Sequence, residues 1–304
     1  MLPRHAHLLI NRHSRHGLTD ISAHVEYLRG RGLAVTVTTC DRPDEIGDRI
    51  RAGREGCDLV ILAGGDGTMN AAAEALIDTG LPLGILPMGT GNDLARTLAL
   101  PLDLRAACDV LIDGRLHAID VGRVNGKLFF NVASMGLSVE VARRLTPAYK
   151  RRWGIFAYAL ASWQAIRNIR PFRAEIRCDG RTVRLKSVQI AVGNGRHYGG
   201  GMTVDEDATI DDGRLHLYSL KPLQLWHYLL MLPALRAGRQ RGRPGVLTLS
   251  GARIDIATRR RKPINTDGEL TTYTPAQFDV LPAALSVMVS RAYPVHQGGR
   301  DAEG

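Results

Sequence analysis

Two short stretches constrain this chain more than anything else in it. At residues 57–70 a hydrophobic run, Cys-Asp-Leu-Val-Ile-Leu-Ala, enters Gly64-Gly65-Asp66-Gly67-Thr68-Met69-Asn70. At residues 83–96, Leu-Gly-Ile-Leu-Pro-Met enters Gly89-Thr90-Gly91-Asn92-Asp93-Leu-Ala-Arg. Each reads as a buried strand, a glycine turn and a helix start. Glycine lets the backbone approach a ligand closely, and a helix N-terminus offers unpaired N–H groups and a partial positive charge, which suit an anion. Neither loop continues into Gly-Lys-Ser/Thr, so neither is a Walker A loop, and phosphate would be held by backbone and hydroxyl groups such as Thr90. Asp66 repels phosphate, and its carboxylate is better suited to Mg2+ or a bridging water. The plainer alternative for the first loop is a tight turn whose helix is capped by Asp66 or Thr68. Two such loops at neighbouring strand ends would face one crevice, which weakens that alternative. Gly89 and Thr90 would then meet phosphate, and Asn92 the base, the ribose or the metal.

The surrounding pattern agrees. Apolar runs suited to buried parallel strands occur at residues 7–10, 33–37, 59–63 and 83–86. Helical stretches lie between them, one marked by Ile21, Val25 and Leu28, another by the helix formers of residues 69–77. This βαβα alternation predicts a doubly wound parallel sheet with its ligand crevice at the carboxyl ends of the strands. Past residue 116 short strand-like segments take over, at 116–121, 127–132, 172–178, 182–192, 214–219, 246–257 and 278–281. Turn signals such as Asn125-Gly126, Asp179-Gly180 and Asp212-Gly213 separate them, which predicts an antiparallel sandwich interrupted by helices at 153–169 and 222–236. The expected division is a nucleotide-binding α/β domain over 1–122, a β-sandwich substrate domain over 123–290 and a tail over 291–304, disordered from 297. A length of 304 residues suits two domains.

Composition narrows the function classes. With 44% apolar and 23% charged residues the chain can bury a core and is neither a disordered tail nor a fibre. Cys40, Cys57, Cys108 and Cys178 form no CxxC pair, which argues against a zinc site or a disulfide framework. No apolar run reaches the roughly 20 residues that span a bilayer, and the first residues lack a secretory core, so a soluble cytoplasmic protein is expected. Charge is divided unevenly: residues 1–122 carry 12 Lys and Arg against 16 Asp and Glu, residues 123–304 carry 28 against 14. A basic second half suggests contact with a polyanion. Aromatic residues are only 5% and do not interleave with the cations, so nucleic acid is not expected as the partner.

Gly64-Gly65-Asp66-Gly67-Thr68 with Asn70, followed by Pro87-Met88-Gly89-Thr90-Gly91-Asn92-Asp93-Leu94-Ala95-Arg96, resembles the bacterial diacylglycerol kinase-like lipid kinases, relatives of the sphingosine and ceramide kinases. The likeness extends along nearly the whole chain. Asn11, Ser14 and Gly17 match an opening box, with Arg12 in place of its proline. Asn194-Gly195 with Gly199-Gly200-Gly201-Met202, Asp211-Asp212-Gly213 and Asp267-Gly268-Glu269 match later ones. The resemblance implies an N-terminal α/β domain of the NAD kinase and diacylglycerol kinase type plus a C-terminal β-sandwich. It also implies ATP held by Thr39, Gly64, Gly65, Asp66, Gly67, Thr68, Met69, Asn70 and Thr90. On its own, Asp211-Asp212-Gly213 is an ordinary turn. The family places a structural Mg2+ there, on the Asp212 side chain and the carbonyls of Thr209 and Arg214, although Glu206 stands where proline is usual. Likewise Asp267-Gly268-Glu269 alone is a hairpin turn. By resemblance, Glu269 becomes the general base for an acceptor hydroxyl and Asp267 orients metal or base, with Asn265-Thr266 more polar than the usual apolar pair.

A lipid acceptor has to be reached at a membrane. Residues 153–163, with Trp153 and Trp163, follow Lys150-Arg151-Arg152, and residues 223–232, with Trp226, precede Arg236, Arg239, Arg241 and Arg243. Such helices fit either a protein core or docking onto anionic lipid, and the basic second half favours peripheral contact at the inner face of the membrane. The favoured function is an ATP- and Mg2+-dependent kinase for a membrane lipid such as diacylglycerol. The alternatives are a NAD kinase-like phosphotransferase and a non-catalytic nucleotide-binding regulator. Which lipid is used, and whether the chain forms a homodimer, are not written in these residues.

Overall fold

The computed structural model describes residues 5–12, 21–144, 170–195, 197–198, 202–203, 208–223 and 242–294. Ser14, Gly17, Gly199, Gly200, Gly201, Glu206, the stretch 145–169 with its expected helix, residues 224–241 with most of the second expected helix, and the tail from 295 lie outside them.

The first half alternates as its pattern requires: β1 (His5–Asn11), α1 (Ser22–Gly30), β2 (Ala34–Cys40), α2 (Asp44–Ala52), β3 (Leu59–Gly64), α3 (Asp66–Thr79), β4 (Leu83–Pro87), α4 (Asp93–Thr97) and α5 (Leu104–Asp113). The four strands pair in parallel in the order β2-β1-β3-β4. Every residue of β3 and β4 is buried, because helices cover both faces of the sheet. Val60 and Leu62 pack with Ile46 and Ile50 of α2 and Leu76 of α3. Their alternating neighbours Leu59 and Ile61 pack with Val25 and Leu28 of α1 and Leu111 of α5. A fully buried Leu or Ile contributes about 1.5–3 kcal/mol, so these two layers fix the strand ends from which the glycine loops spring.

The second half adds β5 (Arg115–Val124), β6 (Lys127–Phe129), β7 (Val132–Gly136), α6 (Leu137–Arg144), β8 (Phe172–Cys178), β9 (Arg181–Ser187), β10 (Gln189–Gly193), β11 (His197–Tyr198), β12 (Met202–Thr203), β13 (Leu215–Leu220), β14 (Val246–Gly251), β15 (Arg253–Thr258), β16 (Pro263–Thr266), β17 (Glu269–Tyr273) and β18 (Ala276–Val289). A six-stranded antiparallel sheet runs β14-β13-β10-β7-β16-β17. It faces strands β8, β15 and β18 across a core that includes Met135, Ile176, Val192, Leu217, Ile254 and Phe278. That is the sandwich.

Three strand-like segments of the sequence prove to be pairs. Residues 127–132 divide into β6 and β7; 182–192 divide at Val188 into β9 and β10, which belong to different sheets; 246–257 divide at Ala252 into β14 and β15, again in different sheets. A sandwich turns its corner within one residue, and continuous strand-like alternation conceals it. The segment 278–281 is the middle of a strand of 14 residues. Its end returns to the first half, where Val287 pairs in parallel with Leu83, while β5 runs antiparallel beside it on the far side of a bulge at 281–285. The four cysteines are free. Among the described residues no helix is long and apolar enough to cross a membrane.

Candidate active site

The two glycine loops touch. Gly64 pairs with Pro87 at the ends of β3 and β4, and the Met88 N–H donates to the Gly64 carbonyl at 2.9 Å. A β-carbon on Gly65 would stand 2.9 Å from the Gly89 Cα, and one on Gly89 would strike the Gly65 Cα and lie 2.8 Å from Asn92 Oδ1. Only glycine fits at both positions. Asn92, in the left-handed region at φ 53°, closes the second loop on itself: its Oδ1 accepts from Gly89 N at 2.9 Å and its Nδ2 donates to the Gly89 carbonyl at 3.1 Å. Both ends of the amide expected to meet base, ribose or metal are thus engaged by the loop. Thr90 beside it is exposed.

Helix α3 has no side-chain cap, contrary to the plainer expectation for Asp66 or Thr68. Asp66 instead accepts the Leu94 N–H at 3.1 Å and so caps α4 across the crevice. The buried Thr68 hydroxyl accepts from Asn11 Nδ2 at 2.9 Å and ties β1 to the helix. Thr68 and Met69 donate their N–H groups to the Gly65 carbonyl, which leaves those of Asp66 and Gly67 without an acceptor inside the helix. Met69 itself is buried core. The Asn70 amide oxygen is buried without a hydrogen-bond partner. Thr39, exposed near the end of β2, is level with Ala63, both being paired with Ile10 of the intervening β1.

From the other half, β16 and β17 bring the Asp267-Gly268-Glu269 turn to this crevice. Asp267 at φ 46° and Gly268 at φ 104° make the turn, and Asn265 Oδ1 holds it by accepting from Gly268 N at 2.8 Å. The polar Asn265 is what this turn requires. The Asp267 carboxylate sits in a nest of three successive main-chain N–H groups, from Phe130 at 2.7 Å, Asn131 at 3.0 Å and Val132 at 2.8 Å. Burial pushes its pKa up to about 6; the three N–H groups pull against that, and the negative charge of Asp66 adds to it. Glu269 is exposed, and its Oε1 lies 3.8 Å from where a β-carbon on Gly67 would be.

Residues 130–131, which form the nest, are gripped from behind. Asn194, 1% exposed, donates through Nδ2 to the carbonyls of Asp120 at 2.9 Å and Phe130 at 3.0 Å, while Asn194 N donates to the Asn131 carbonyl. Thr97 of α4 donates to Asn131 Oδ1 at 3.4 Å. Asn131 belongs to none of the sequence motifs. Its signal, a polar residue inside Phe129-Phe130-Asn131-Val132, is faint.

Asp212 lies at a second polar centre. Its Oδ1 accepts from Arg214 N at 2.8 Å, and its Oδ2 lies 2.7 Å from His216 Nε2 and 3.4 Å from Thr209 N. Asp211 pairs with His117 at 2.9 Å, and Asp120 accepts from Gly213 N and Ala283 N at 2.6 and 2.8 Å. Burial raises the Asp120 pKa, its two N–H donors oppose the rise, and the charges of Asp212 and Asp211 add to it. The Thr209 hydroxyl is buried without a partner. Among the described residues no three metal-ligating side chains converge. An orphaned hydroxyl beside mutually repelling carboxylates nevertheless fits a hard cation held largely by main-chain oxygen.

A family model for the diacylglycerol kinase catalytic domain matches residues 5–124, and one for the YegS C-terminal NAD kinase beta sandwich-like domain matches residues 131–289. A probable lipid kinase YegS-like of Klebsiella pneumoniae (strain 342) is 32% identical over 267 residues, 86% of this chain and 88% of its own. A diacylglycerol kinase of Bacillus subtilis (strain 168) is 30% identical, covering 82% and 83% respectively. One of Mycobacterium tuberculosis (strain ATCC 25618 / H37Rv) is 32% identical, covering 93% and 94%. The crystal structure of a diacylglycerol kinase from Bacillus anthracis str. Sterne has the same fold, with TM-score 0.74 and 21% identity over 97% of this chain and all of that one. A second crystal structure from that organism gives 0.84 at 24% identity over 97% and 98%.

Proposed function

Because the chain belongs to the bacterial diacylglycerol kinase-like family of lipid kinases, and so transfers phosphate to a lipid hydroxyl, we propose that ATP is the donor, that Mg2+ is required, and that the acceptor is a membrane lipid such as diacylglycerol. The observation that carries this reading is the Glu269 carboxylate standing over Gly67 at the opening of α3. One group able to take a proton and one surface able to take a triphosphate thereby share a crevice.

The triphosphate lies along the glycine loops. The free N–H groups of Asp66 and Gly67 and the positive end of α3 receive its oxygens, with Thr90 donating from the second loop. Thr39 and the Asn70 amide oxygen contact the rest of the nucleotide, and Asn92 acts by fixing the Gly89 turn. Residues 1–122 supply these donor contacts and residues 123–290 the acceptor side. Asp66 would hold Mg2+ directly or by way of water, and the ion would offset phosphate charge that the loops alone leave in excess. The Asp212 carboxylate and the carbonyls of Thr209 and Arg214 would hold a second cation, which would stiffen their turn.

Phosphoryl transfer has a loose transition state, so positioning and charge compensation contribute most of the catalysis. The lipid oxygen attacks the γ-phosphorus, the bond to the leaving ADP oxygen breaks, and the hydroxyl proton passes late to Glu269, a step within reach of an ordinary carboxylate. Asp267, locked in its nest, fixes the turn that aims Glu269. The work is done at the cytoplasmic face of the membrane.

A panel of hydroxyl lipids incubated with labelled ATP and the purified chain tests this. Label transferred to diacylglycerol in the presence of Mg2+ is the expected result. Label transferred to NAD+ with none to any lipid would overturn it.

A further inference from the structure

The basic run Arg259-Arg260-Arg261-Lys262 plays no part in the chemistry above. It leads from β15 to β16, and next to it the outer face of the β15-β8-β9 sheet is open to solvent. On that face Arg173 and Lys186 are directly opposite each other on β8 and β9. Like charges so placed destabilise a strand pair. Together with Arg184 and Arg259 they line a cavity of about 500 Å³. Its one acid, Glu175, is already engaged by Arg184 at 2.8 Å and Arg177 at 2.7 Å. Arg173, Lys186, Arg259 and Arg260 have no ion-pair partner among the described residues. Other arginines differ: Arg12, Arg29, Arg31, Arg42 and Arg51, for example, each hold a carboxylate at 2.9–3.3 Å.

Edge strand β17 of the facing sheet, tied to the end of β15 at Thr258, shows two large apolar side chains to solvent. Leu270 is 49% and Tyr273 47% exposed, and Arg261 stacks on the Tyr273 ring at 5.1 Å. The two edges are locked together by the Thr258 and Thr274 hydroxyls and by Lys262 N donating to Thr274 Oγ1. Leu270 follows Glu269 directly, and Tyr273 lies four residues along the same strand, about 13 Å from it.

We propose that this end of the sandwich, with Arg173, Lys186, Arg259 and Arg260 as its cations and Leu270 and Tyr273 as its apolar rim, docks on an anionic lipid bilayer and brings Glu269 to the acceptor. Unpaired cations spread over an open face match a sheet of negative headgroups better than a single anion, and side chains that are half apolar settle at such an interface. With Tyr273 its only large exposed aromatic among the described residues, the face has no row of rings there on which bases could stack. The placement rests on the lipid-kinase reading for its purpose, but its test does not.

The test is cosedimentation of the full chain with phosphatidylglycerol–phosphatidylcholine vesicles and with phosphatidylcholine alone, for the wild type and for Arg173→Gln with Lys186→Gln. Each cation near an anionic surface is worth about fivefold in partitioning. The double variant is therefore expected to bind anionic vesicles roughly thirtyfold more weakly, and Arg173→Glu with Lys186→Glu more weakly still. The Glu pair keeps two like charges opposite one another, so its thermal melt should stay close to that of the wild type, and the Gln pair should melt no lower. Turnover on anionic vesicles should fall with binding, while turnover on a water-soluble short-chain diacylglycerol stays at the wild-type level. Wild-type vesicle binding by both folded variants would overturn the proposal. So would loss of binding to an RNA duplex with vesicle binding intact, which would reassign the face. If no diacylglycerol is phosphorylated in any format, the acceptor assignment fails, while the vesicle-binding arm still decides this one.

Discussion

Glu269 Oε1 faces Gly67 across the crevice, 3.8 Å from the site a β-carbon there would take. The two residues come from opposite halves of the chain: Gly67 opens the helix whose free N–H groups suit phosphate, and Glu269 begins an edge strand of the sandwich sheet. A proton acceptor and the start of an anion-binding helix thus face each other across one crevice.

Glu269→Gln keeps the size and hydrogen-bonding reach of the side chain but removes its basicity. Turnover is expected to fall roughly 10²-fold or more, with nucleotide affinity, measured by equilibrium dialysis, close to wild type. Near-normal turnover would remove Glu269 from the role of base.

Gly89→Ala should act on the loops themselves. Its methyl would collide with the Gly65 backbone and crowd Asn92 Oδ1, and such overpacking costs about 1–3 kcal/mol. The expected result is a lower urea midpoint together with weaker ATP binding. Gly56→Ala, with nothing within 4 Å of its added carbon, serves as the control that should change neither. Equal effects of the two substitutions would refute the contact as the cause.

How legible the site was in the sequence depends on which half is considered. The glycine loops announced themselves because a parallel strand, buried on both faces, is a continuous apolar run that ends where the ligand begins, as Leu59 to Gly64 does. The corners at Val188 and Ala252 did not, since neither Lys186-Ser187-Val188-Gln189 nor Ser250-Gly251-Ala252-Arg253 carries a Pro or an Asn-Gly or Asp-Gly turn signal where the chain changes sheets. The return of Leu285–Val289 to the first sheet is a long-range pairing with no local mark. Nor could any residue type have disclosed the nest under Asp267, because its donors are main-chain N–H groups. Asp66 illustrates the same limit: its acidity pointed to a metal or to a cap of its own helix, and only the fold shows it capping α4.

That nest makes Asp267 a source of pH dependence. Its pKa is pushed up to about 6 in the folded chain from 3.8, so between those values the native state binds more protons than the unfolded one. The stability it adds is complete below the lower value and is lost as pH rises through the upper. In nucleotide-free, metal-free protein, Asp267→Asn should abolish this slope. It should also destabilise the chain by about 1–3 kcal/mol, since an amide turns donors toward donors. The wild-type advantage should then be largest near pH 4 and narrow toward pH 7, as read from urea midpoints across that range. A constant difference would mean the carboxyl does not titrate there.

Asp212 offers the test of a cation that stiffens rather than reacts. If its turn binds Mg2+, the wild-type melting temperature rises with Mg2+ concentration as the ion binds only the folded state. Asp212→Ala should lower the melting temperature and flatten that rise, leaving the Thr209 hydroxyl and the Asp120 and Asp211 carboxylates without their compensating charge. Nucleotide must be absent, so that any ion taken up at Asp66 with ATP does not contribute. A variant whose melting temperature still climbs with Mg2+ as the wild type's does would place the cation elsewhere. A wild type indifferent to Mg2+ would mean that His216 and the two main-chain N–H groups already satisfy Asp212 in full.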